Sequence, residues 1–279
     1  PAAKVMFGCA AAVSIIAVLL ICVFLFANGL PAMGEIGVFD FLLGETWKPS
    51  NDMYGIFPMI IGSIYVTAGA IVIGVPIGIL TAVYMAKFAS KRTLKVMKPA
   101  VELLAGIPSV VYGFFGLVVI VPLIRELFGG NGTSMLAACI ILGIMILPTI
   151  ITVSASAIEA VPQNYYEGAL ALGASHERAV YRIMLPAAKS GVLASVILGV
   201  GRAIGEAMAI IMVAGNVSNM PGLFTPVRFL TTGIVSGMAY AAVGSLYQQA
   251  LYSIALVLFL FIMLINVVLN RFIKKRRED

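Results

Sequence analysis

Charged residues are scarce in this chain: only 11% of its 279 residues are Asp, Glu, Lys or Arg, whereas 61% are hydrophobic. A typical soluble domain carries about 25% charged residues. The composition therefore excludes a soluble globular protein, a disordered chain and a nucleic-acid-binding domain, and no nucleic-acid partner is expected.

Histidine and cysteine are also rare. The one histidine is His176, and the three cysteines, Cys9, Cys22 and Cys139, lie in apolar runs without the spacing of metal ligands. A metal site or a histidine-based catalytic site has little support, and no cofactor is expected in this chain. No G-x-x-x-x-G-K-[ST] motif occurs, so the chain cannot hold ATP phosphates in a P-loop.

The chain is instead dominated by long apolar runs. A helix needs about 20 apolar residues to cross the hydrocarbon core of a bilayer, and lipid offers the backbone no other hydrogen-bond partners. We therefore predict an all-α, polytopic membrane fold with six transmembrane helices, forming one transmembrane domain over residues 1–279. The predicted spans are 5–27, 56–86, 100–124, 135–158, 191–213 and 246–270.

The basic residues predict the orientation of these spans. Most of them fall on one side of the threading, which the positive-inside rule assigns to the cytoplasm. The protein is then expected in a cytoplasmic (inner) membrane, with both termini on the cytoplasmic side. A full crossing by the stretch Phe229–Ser245 would place the C-terminal basic run outside, so this stretch is interpreted as interfacial or re-entrant. The residues on the basic side are Lys4, Lys87, Lys91, Arg92, Lys95, Lys98, Arg178, Arg182, Lys189, Arg271, Lys274, Lys275, Arg276 and Arg277.

The cytoplasmic segment 159–190 has the pattern of a helix–turn–helix. Pro162 suits the first turn of a helix, Gly173 suits a left-handed stop, and Ser175 suits the N-cap of a second helix. The second helix has an apolar face, which must be buried against something. From the residues alone, lipid and a protein partner are both open as its cover.

This segment resembles the EAA loop of bacterial ATP-binding-cassette importer permeases, whose pattern is E-A-A, three residues, G, nine residues, I-x-L-P. Only the second position departs, with glycine in place of alanine. The resemblance implies a type I importer permease architecture, in which the loop docks as a coupling helix on a dimer of ATPase subunits that use ATP and Mg. The matching residues are Glu167, Gly168, Ala169, Gly173, Ile183, Leu185 and Pro186.

Two charges lie inside the fifth predicted span. Arg202 and Glu206 are four residues apart, so they are expected to share one helix face. A charge at the bilayer centre costs at least about 2.5–3.5 kcal/mol, so such residues normally pair with each other or line a transport pathway. A salt bridge that pins the helix and a pathway that binds an anion, which suits the planar arginine head, both remain open.

The stretch Gly201–Ala209 is similar to the fifth-span motif of phosphate-specific importer permeases of the PstC type, and Ala105–Gly113 is similar to their third span. This resemblance implies phosphate as cargo, with Arg202 and Glu206 in its pathway. It also implies a homologous second permease of the PstA type, an ATPase dimer and an external phosphate-binding protein as partners. One alternative is the same architecture with sulfate or molybdate as cargo. The other is a secondary transporter that works without ATP.

Three residues of the third span form a second candidate site. Gly106, Pro108 and Ser109 interrupt a helix pattern at membrane depth. Irregular backbone is tolerated there only where it is buried in protein or lines a cavity. A pathway backbone and a simple packing kink are both consistent with the pattern.

Overall fold

The computed structural model describes the backbone of residues 2–278 and the side chains of residues 3–268 and 271. Most of it is helical, and its one sheet is a two-stranded antiparallel hairpin, β1 (Trp47–Lys48) and β2 (Met53–Tyr54). The helices are α1 (Ala2–Ile36), α2 (Val38–Leu43), α3 (Phe57–Phe88), α4 (Lys91–Gly106), α5 (Ser109–Phe128), α6 (Met135–Glu159), α7 (Gln163–Ala171), α8 (His176–Ala187), α9 (Lys189–Ile204), α10 (Met208–Val213), α11 (Leu230–Met238) and α12 (Leu246–Glu278).

Five of the described helices are long and apolar enough to cross a membrane: α1, α3, α5, α6 and the 246–268 part of α12. The helices α8 and α9 meet at an angle of 69° and would add a sixth span if counted as one. The all-α, multi-span prediction is therefore confirmed. The side chains of the predicted basic run from Lys274 to Arg277 lie outside the described residues.

The centre of the bundle is the contact between α3 and α6. A Cβ added at Gly74 would lie 2.6 Å from Ile146 Cγ1, and one at Gly78 would lie 2.7 Å from Ile150 Cγ2. These glycines let the two helix backbones approach closely, as small residues do between helices in membranes. Ile146 and Ile150 are fully buried in the resulting core.

Helix α1 lies at the edge of the bundle against α12. The Ser253 hydroxyl donates a 2.6 Å hydrogen bond to the Gly29 carbonyl, and the rings of Phe24 and Tyr252 meet edge to face at 5.3 Å. Most of the remaining apolar surface of α1 is exposed within this chain. Such a surface has to be covered by lipid or by another protein.

The two ends of the bundle differ. The basic end carries the start of α4 with Lys91, Arg92 and Lys95, together with the segment 159–190. The opposite end is closed by α2, the hairpin and the start of α12, where Trp47 packs edge to face on Tyr54 at 5.7 Å. Both rings are buried there.

The third predicted span begins later than expected. Instead of one helix over 100–124, α4 ends at Gly106 and α5 begins at Ser109. The residue before a proline is disfavoured in helical geometry, and Ile107, before Pro108, is extended at φ −69° and ψ 126°. α4 carries four basic residues and belongs to the basic end, so α5 forms the apolar span.

The fifth predicted span, 191–213, is not continuous either. Helix α9 ends at Ile204, and α10 restarts at Met208 after a residue, Ala207, with φ −126°. The Glu206 carboxylate accepts a hydrogen bond from the Ala209 backbone N–H at 3.0 Å, which satisfies one of the free donors at the start of α10. Glu206 therefore caps the start of α10 and does not continue α9.

The stretch Phe229–Ser245 forms the short helix α11 and a loop. Nine residues of helix are about 14 Å long, which is too short to cross a bilayer. The prediction that this stretch does not cross agrees with the structure. α11 begins beside α3, where the Leu230 N–H donates to Ser63 Oγ at 3.1 Å, and ends against α12, where a Cβ at Gly237 would lie 2.6 Å from Leu251 Cδ2.

Candidate functional site

A tyrosine bridges the break between α4 and α5. The Tyr112 hydroxyl, on the first turn of α5, donates a 2.7 Å hydrogen bond to the Leu104 carbonyl near the end of α4. This bond satisfies a carbonyl that the interruption leaves without its helical partner. Gly106 and Pro108 lie exposed on the break and Ser109 is half-buried, so all three predicted residues are at the interruption.

The expectation that Arg202 and Glu206 share one helix face is wrong, and the salt bridge, one of the two alternatives, is not formed in the described chain. Arg202 is on the last turn of α9, whereas Glu206 is past its end and caps α10 instead. Within the described chain no carboxylate lies within 4.0 Å of the Arg202 side chain. Both side chains are half-buried, so the arginine is left with its donors available beside a broken span.

The two breaks lie next to each other. A Cβ at Gly113 would lie 2.8 Å from Ala209 Cα, so the first turns of α5 and α10 are in direct backbone contact. Ala203, next to Arg202, is in the same buried cluster as Tyr112 and Ala209. Two interrupted helices and one unpaired cation thus meet at one place in the bundle.

This place is open on one side. A Cβ added at Gly106 or Gly201 would meet nothing within 4 Å, and one at Gly205 would meet only the Gly201 carbonyl at 3.5 Å. Gly199, which faces the other way, would meet Ile150 at 3.1 Å. Among these glycines of the described chain, another helix therefore approaches closely at Gly199, whereas Gly106, Gly201 and Gly205 line an exposed face.

A third segment, 214–231, completes the site, and the sequence interpretation did not include it. The Thr231 hydroxyl donates a 2.8 Å hydrogen bond to the Glu206 carbonyl, so the start of α11 is fixed to the second break. Arg228 Nε donates to the carbonyl and to Oδ1 of Asn216 at 3.2 and 3.0 Å. The signal that could have found it is charge: Arg228 is the only charged residue between Glu206 and Arg271.

The segment 159–190 is built as its pattern predicts. α7 begins directly after Pro162, Gly173 has a φ of +81°, and the Ser175 hydroxyl accepts from the Arg178 N–H at 3.3 Å. The Glu177 N–H and the Ser175 hydroxyl lower the pKa of the Glu177 carboxyl. Among the motif residues, Glu167, Gly168, Gly173 and Pro186 are exposed, Ile183 and Leu185 are half-buried, and Ala169 is buried.

An aromatic junction joins this segment to the basic end of α3. His176 Nδ1 and the Tyr166 hydroxyl share a hydrogen bond of 2.7 Å, which links the starts of α7 and α8. The His176 ring also meets Phe88, the last residue of α3, edge to face at 4.7 Å. The His176 ring therefore contacts both short helices and the end of a core span.

The described residues offer no group of three or more His, Cys, Asp or Glu side chains that could hold a metal ion. The site thus has two parts: polar groups at the two helix breaks, and the surface segment 159–190, which is attached to the bundle through His176.

The model of the family described as "Binding-protein-dependent transport system inner membrane component" matches residues 74–278. This chain belongs to that family. The matched range contains both breaks, the segment 159–190 and α11, so the family match covers every part of the site described above.

Curated relatives of this family are similar over most of their length. The chain is 41% identical to the probable ABC transporter permease protein YqgH of Bacillus subtilis, covering 96% of this chain and 88% of the relative. It is 33% identical to the phosphate transport system permease protein PstC of Mesorhizobium japonicum, covering 86% and 80%. A probable PstC of Methanocaldococcus jannaschii is 31% identical, covering 91% and 87%.

Solved structures show the same fold. The chain superposes on a component of the MetNI methionine ABC transporter with a TM-score of 0.58 at 19% identity, covering 79% of this chain and 94% of the other. A chain of an amino acid ABC transporter gives a TM-score of 0.55 at 21% identity, covering 78% and 92%. The predicted importer permease architecture is confirmed by these likenesses, which at such identities concern the fold alone.

Proposed function

We propose that this chain is one of two membrane permease subunits of an ATP-driven importer that carries inorganic phosphate into the cytoplasm. The observation that carries the proposal is Arg202, a half-buried cation without a carboxylate partner in the described chain, at the meeting point of two broken helices. The similarity to permeases named for phosphate transport supports the cargo.

The site suits a multivalent oxyanion. The guanidinium offers a planar array of donors that matches phosphate oxygens. The N-terminus of α5 begins at Ser109 beside the same break, and the positive end of a helix dipole favours an anion. Broken helices that aim their N-termini at anionic substrates are a known device of transporters. Glu206 adds a negative charge nearby, which limits how tightly an anion is retained.

The exposed glycine face at Gly106, Gly201 and Gly205 is where a second, homologous permease of the PstA type would complete the pathway. A passage lined by glycine lets a partner helix or a hydrated anion approach the backbone. The two permeases would contribute facing halves, so that phosphate passes between subunits rather than through one of them.

The segment 159–190 is the proposed contact with the ATPase dimer. Exposed Glu167 and Gly168 would lie against the partner, while buried Ala169 holds the short helix to the rest of the chain. ATP and Mg would be bound only by that partner. Closure of the ATPases would move α7 and α8, and the His176 junction would pass this movement to α3, changing which side of the pathway is open.

The basic end is assigned to the cytoplasm by the positive-inside rule, which places both termini there and the opposite end toward an external phosphate-binding protein. In this arrangement the hairpin and the loop 214–229 are on the outer surface. The membrane is the bacterial cytoplasmic (inner) membrane.

Reconstituted uptake tests the cargo. The chain, its sister permease, the ATPases and the binding protein are placed in vesicles with radiolabelled phosphate and a tenfold excess of arsenate, sulfate or molybdate. The proposal predicts ATP-dependent accumulation that arsenate, the close mimic of phosphate, suppresses and the other two do not. Suppression by sulfate or molybdate, with phosphate itself poorly carried, would retain the importer and overturn its cargo.

A further inference from the structure

Arg228 is a cation that its own loop uses only in part. Both of its hydrogen bonds come from Nε, and both go to Asn216. Within the described chain neither Nη group has an acceptor, and no carboxylate lies within 4.0 Å of them. The residue is half-buried. In the part of the chain that the structure describes, the only fully buried side-chain N or O atom without a hydrogen-bond partner is Ser218 Oγ. The Arg228 Nη atoms, which also have no partner, are therefore accessible to solvent.

The surroundings of Arg228 hold the guanidinium in a fixed place. Its aliphatic stem lies beside α11, where a Cβ at Gly233 would come within 3.7 Å of Arg228 Cδ. Asn216 has a φ of +52°, a left-handed conformation in which its backbone carbonyl and its side chain both accept from Nε. The two Nη groups are left as a preorganised fork, the geometry that binds phosphate oxygens with two parallel hydrogen bonds.

The position of this fork relates it to the breaks. Arg228 precedes Thr231 by three residues, and Thr231 Oγ1 is bonded to the Glu206 carbonyl. Three residues of chain span at most about 11 Å, so Arg228 lies close to this junction. It is thus linked through Thr231 to the second break, where Glu206 and, four residues earlier, Arg202 lie.

We infer that Arg228 is a second anion-binding residue, which receives phosphate at the outer side and passes it toward Arg202. The inference rests on the proposed function, because it assigns the same cargo to a second place. Two cations with a carboxylate between them would let an anion move stepwise, since no single site then binds it too tightly to release it. A role limited to pinning the loop would need only Nε.

A charge-restoring experiment tests the inference. Arg228→Cys is introduced into a chain with Cys9→Ser and Cys22→Ser, and the full complex is reconstituted. The maximal rate of ATP-driven phosphate uptake is measured at saturating loaded binding protein. We expect a loss of about tenfold in Arg228→Cys. We also expect a partial recovery after reaction with a trimethylammonium-ethyl thiosulfonate, which restores the positive charge but not the N–H donors, and none after reaction with the sulfonated analogue of similar size.

Three controls separate this role from others. Asn216→Gly keeps the left-handed backbone but removes the Oδ1 acceptor, so it loosens the pin and retains the charge. Arg125→Cys removes another cation of the same end, at an exposed position. The parent chain with Arg228 intact is treated with both reagents. Arg125→Cys and the treated parent are expected to remain within about twofold of the untreated parent, whereas Asn216→Gly, which loosens the fork but retains the charge, is expected to lose less activity than Arg228→Cys.

The outcomes against the inference are distinct from those against the function. Normal uptake in Arg228→Cys, equal responses to both reagents, or an equal loss in Asn216→Gly would overturn the inference alone, provided that the parent accumulates phosphate. A parent complex that carries no phosphate would overturn the proposed function, and with it the cargo assigned to Arg228.

Discussion

The hydroxyl of Thr231 donates a 2.8 Å hydrogen bond to the backbone carbonyl of Glu206, and this bond fixes the first turn of α11 to the break between α9 and α10. Thr231 is buried, with 7% of its surface exposed, so the bond is shielded from water. The fifth span and the loop that follows it therefore meet at the break that carries Arg202 and Glu206.

The first prediction concerns Glu206, which caps α10 through its carboxylate. Glu206→Gln keeps an oxygen that can accept from the Ala209 N–H, whereas Glu206→Ala removes it. We expect Glu206→Ala to lose about 0.5–2 kcal/mol of stability, the usual value of an N-cap, while Glu206→Gln melts close to the wild type. Both should slow uptake, because both remove the charge. Wild-type uptake in Glu206→Gln would limit this residue to capping.

The second prediction concerns the contact of α5 with α10. Gly113→Ala adds a Cβ 2.8 Å from Ala209 Cα, so the two helices have to separate. Overpacking of this kind costs about 1–3 kcal/mol, and the melting temperature in detergent should fall. Gly201→Ala is the matched control, since its Cβ meets nothing within 4 Å of this chain. Equal melting temperatures for the two variants would contradict the close contact of the breaks.

The third prediction concerns the junction of Tyr166, His176 and Phe88. Tyr166→Phe keeps the ring and removes only the hydroxyl that bonds His176, and His176→Ala also removes the ring contact with Phe88. We expect the phosphate carried per ATP hydrolysed to fall in the order wild type, Tyr166→Phe, His176→Ala, because movement of the segment is no longer passed to α3.

Complex assembly serves as the control for the third prediction, because the proposed role of the junction is to transmit movement and not to bind the ATPases. Co-purification of the ATPases should be unchanged in both variants. An unaltered ratio of phosphate to ATP in His176→Ala would remove the junction from the coupling route.

The fourth prediction concerns Glu167, which is exposed on α7. Glu167→Ala should lower the stimulation of ATPase activity by loaded binding protein while the melting temperature of the isolated chain stays within about a degree, since an exposed substitution rarely changes stability by more than about 0.5 kcal/mol. Leu172→Ala, exposed on the same segment at a spacer position that the motif does not specify, is the control. Wild-type stimulation in the Glu167 variant would count against docking through this face.

Hydropathy and short-range signals predicted much of the fold. The apolar runs placed the long helices, and the Pro162, Gly173 and Ser175 pattern gave α7 and α8 because each signal acts within a few residues. The break at Ile107 follows from Pro108 in the same way. These features depend on interactions between residues that are close together in the sequence, so the sequence alone indicates them.

The fifth span could not be predicted in this way. Its composition is uniformly apolar around Arg202 and Glu206, and a four-residue spacing favours one helix face. The structure instead uses Glu206 to cap α10 and holds the break from outside, through Thr231 and the packing of Gly113. Those contacts join residues that are far apart in the sequence, so no local pattern indicates them.

The central claim is that Arg202 binds the anion in the pathway, and one uptake measurement tests it most directly. Phosphate accumulation and ATP hydrolysis are measured together for the wild type, Arg202→Lys and Arg202→Ala in the reconstituted complex. The account predicts intact assembly in all three, reduced uptake in Arg202→Lys, which keeps the charge but not the planar fork, and no ATP-dependent uptake in Arg202→Ala. Wild-type uptake by Arg202→Ala would contradict it.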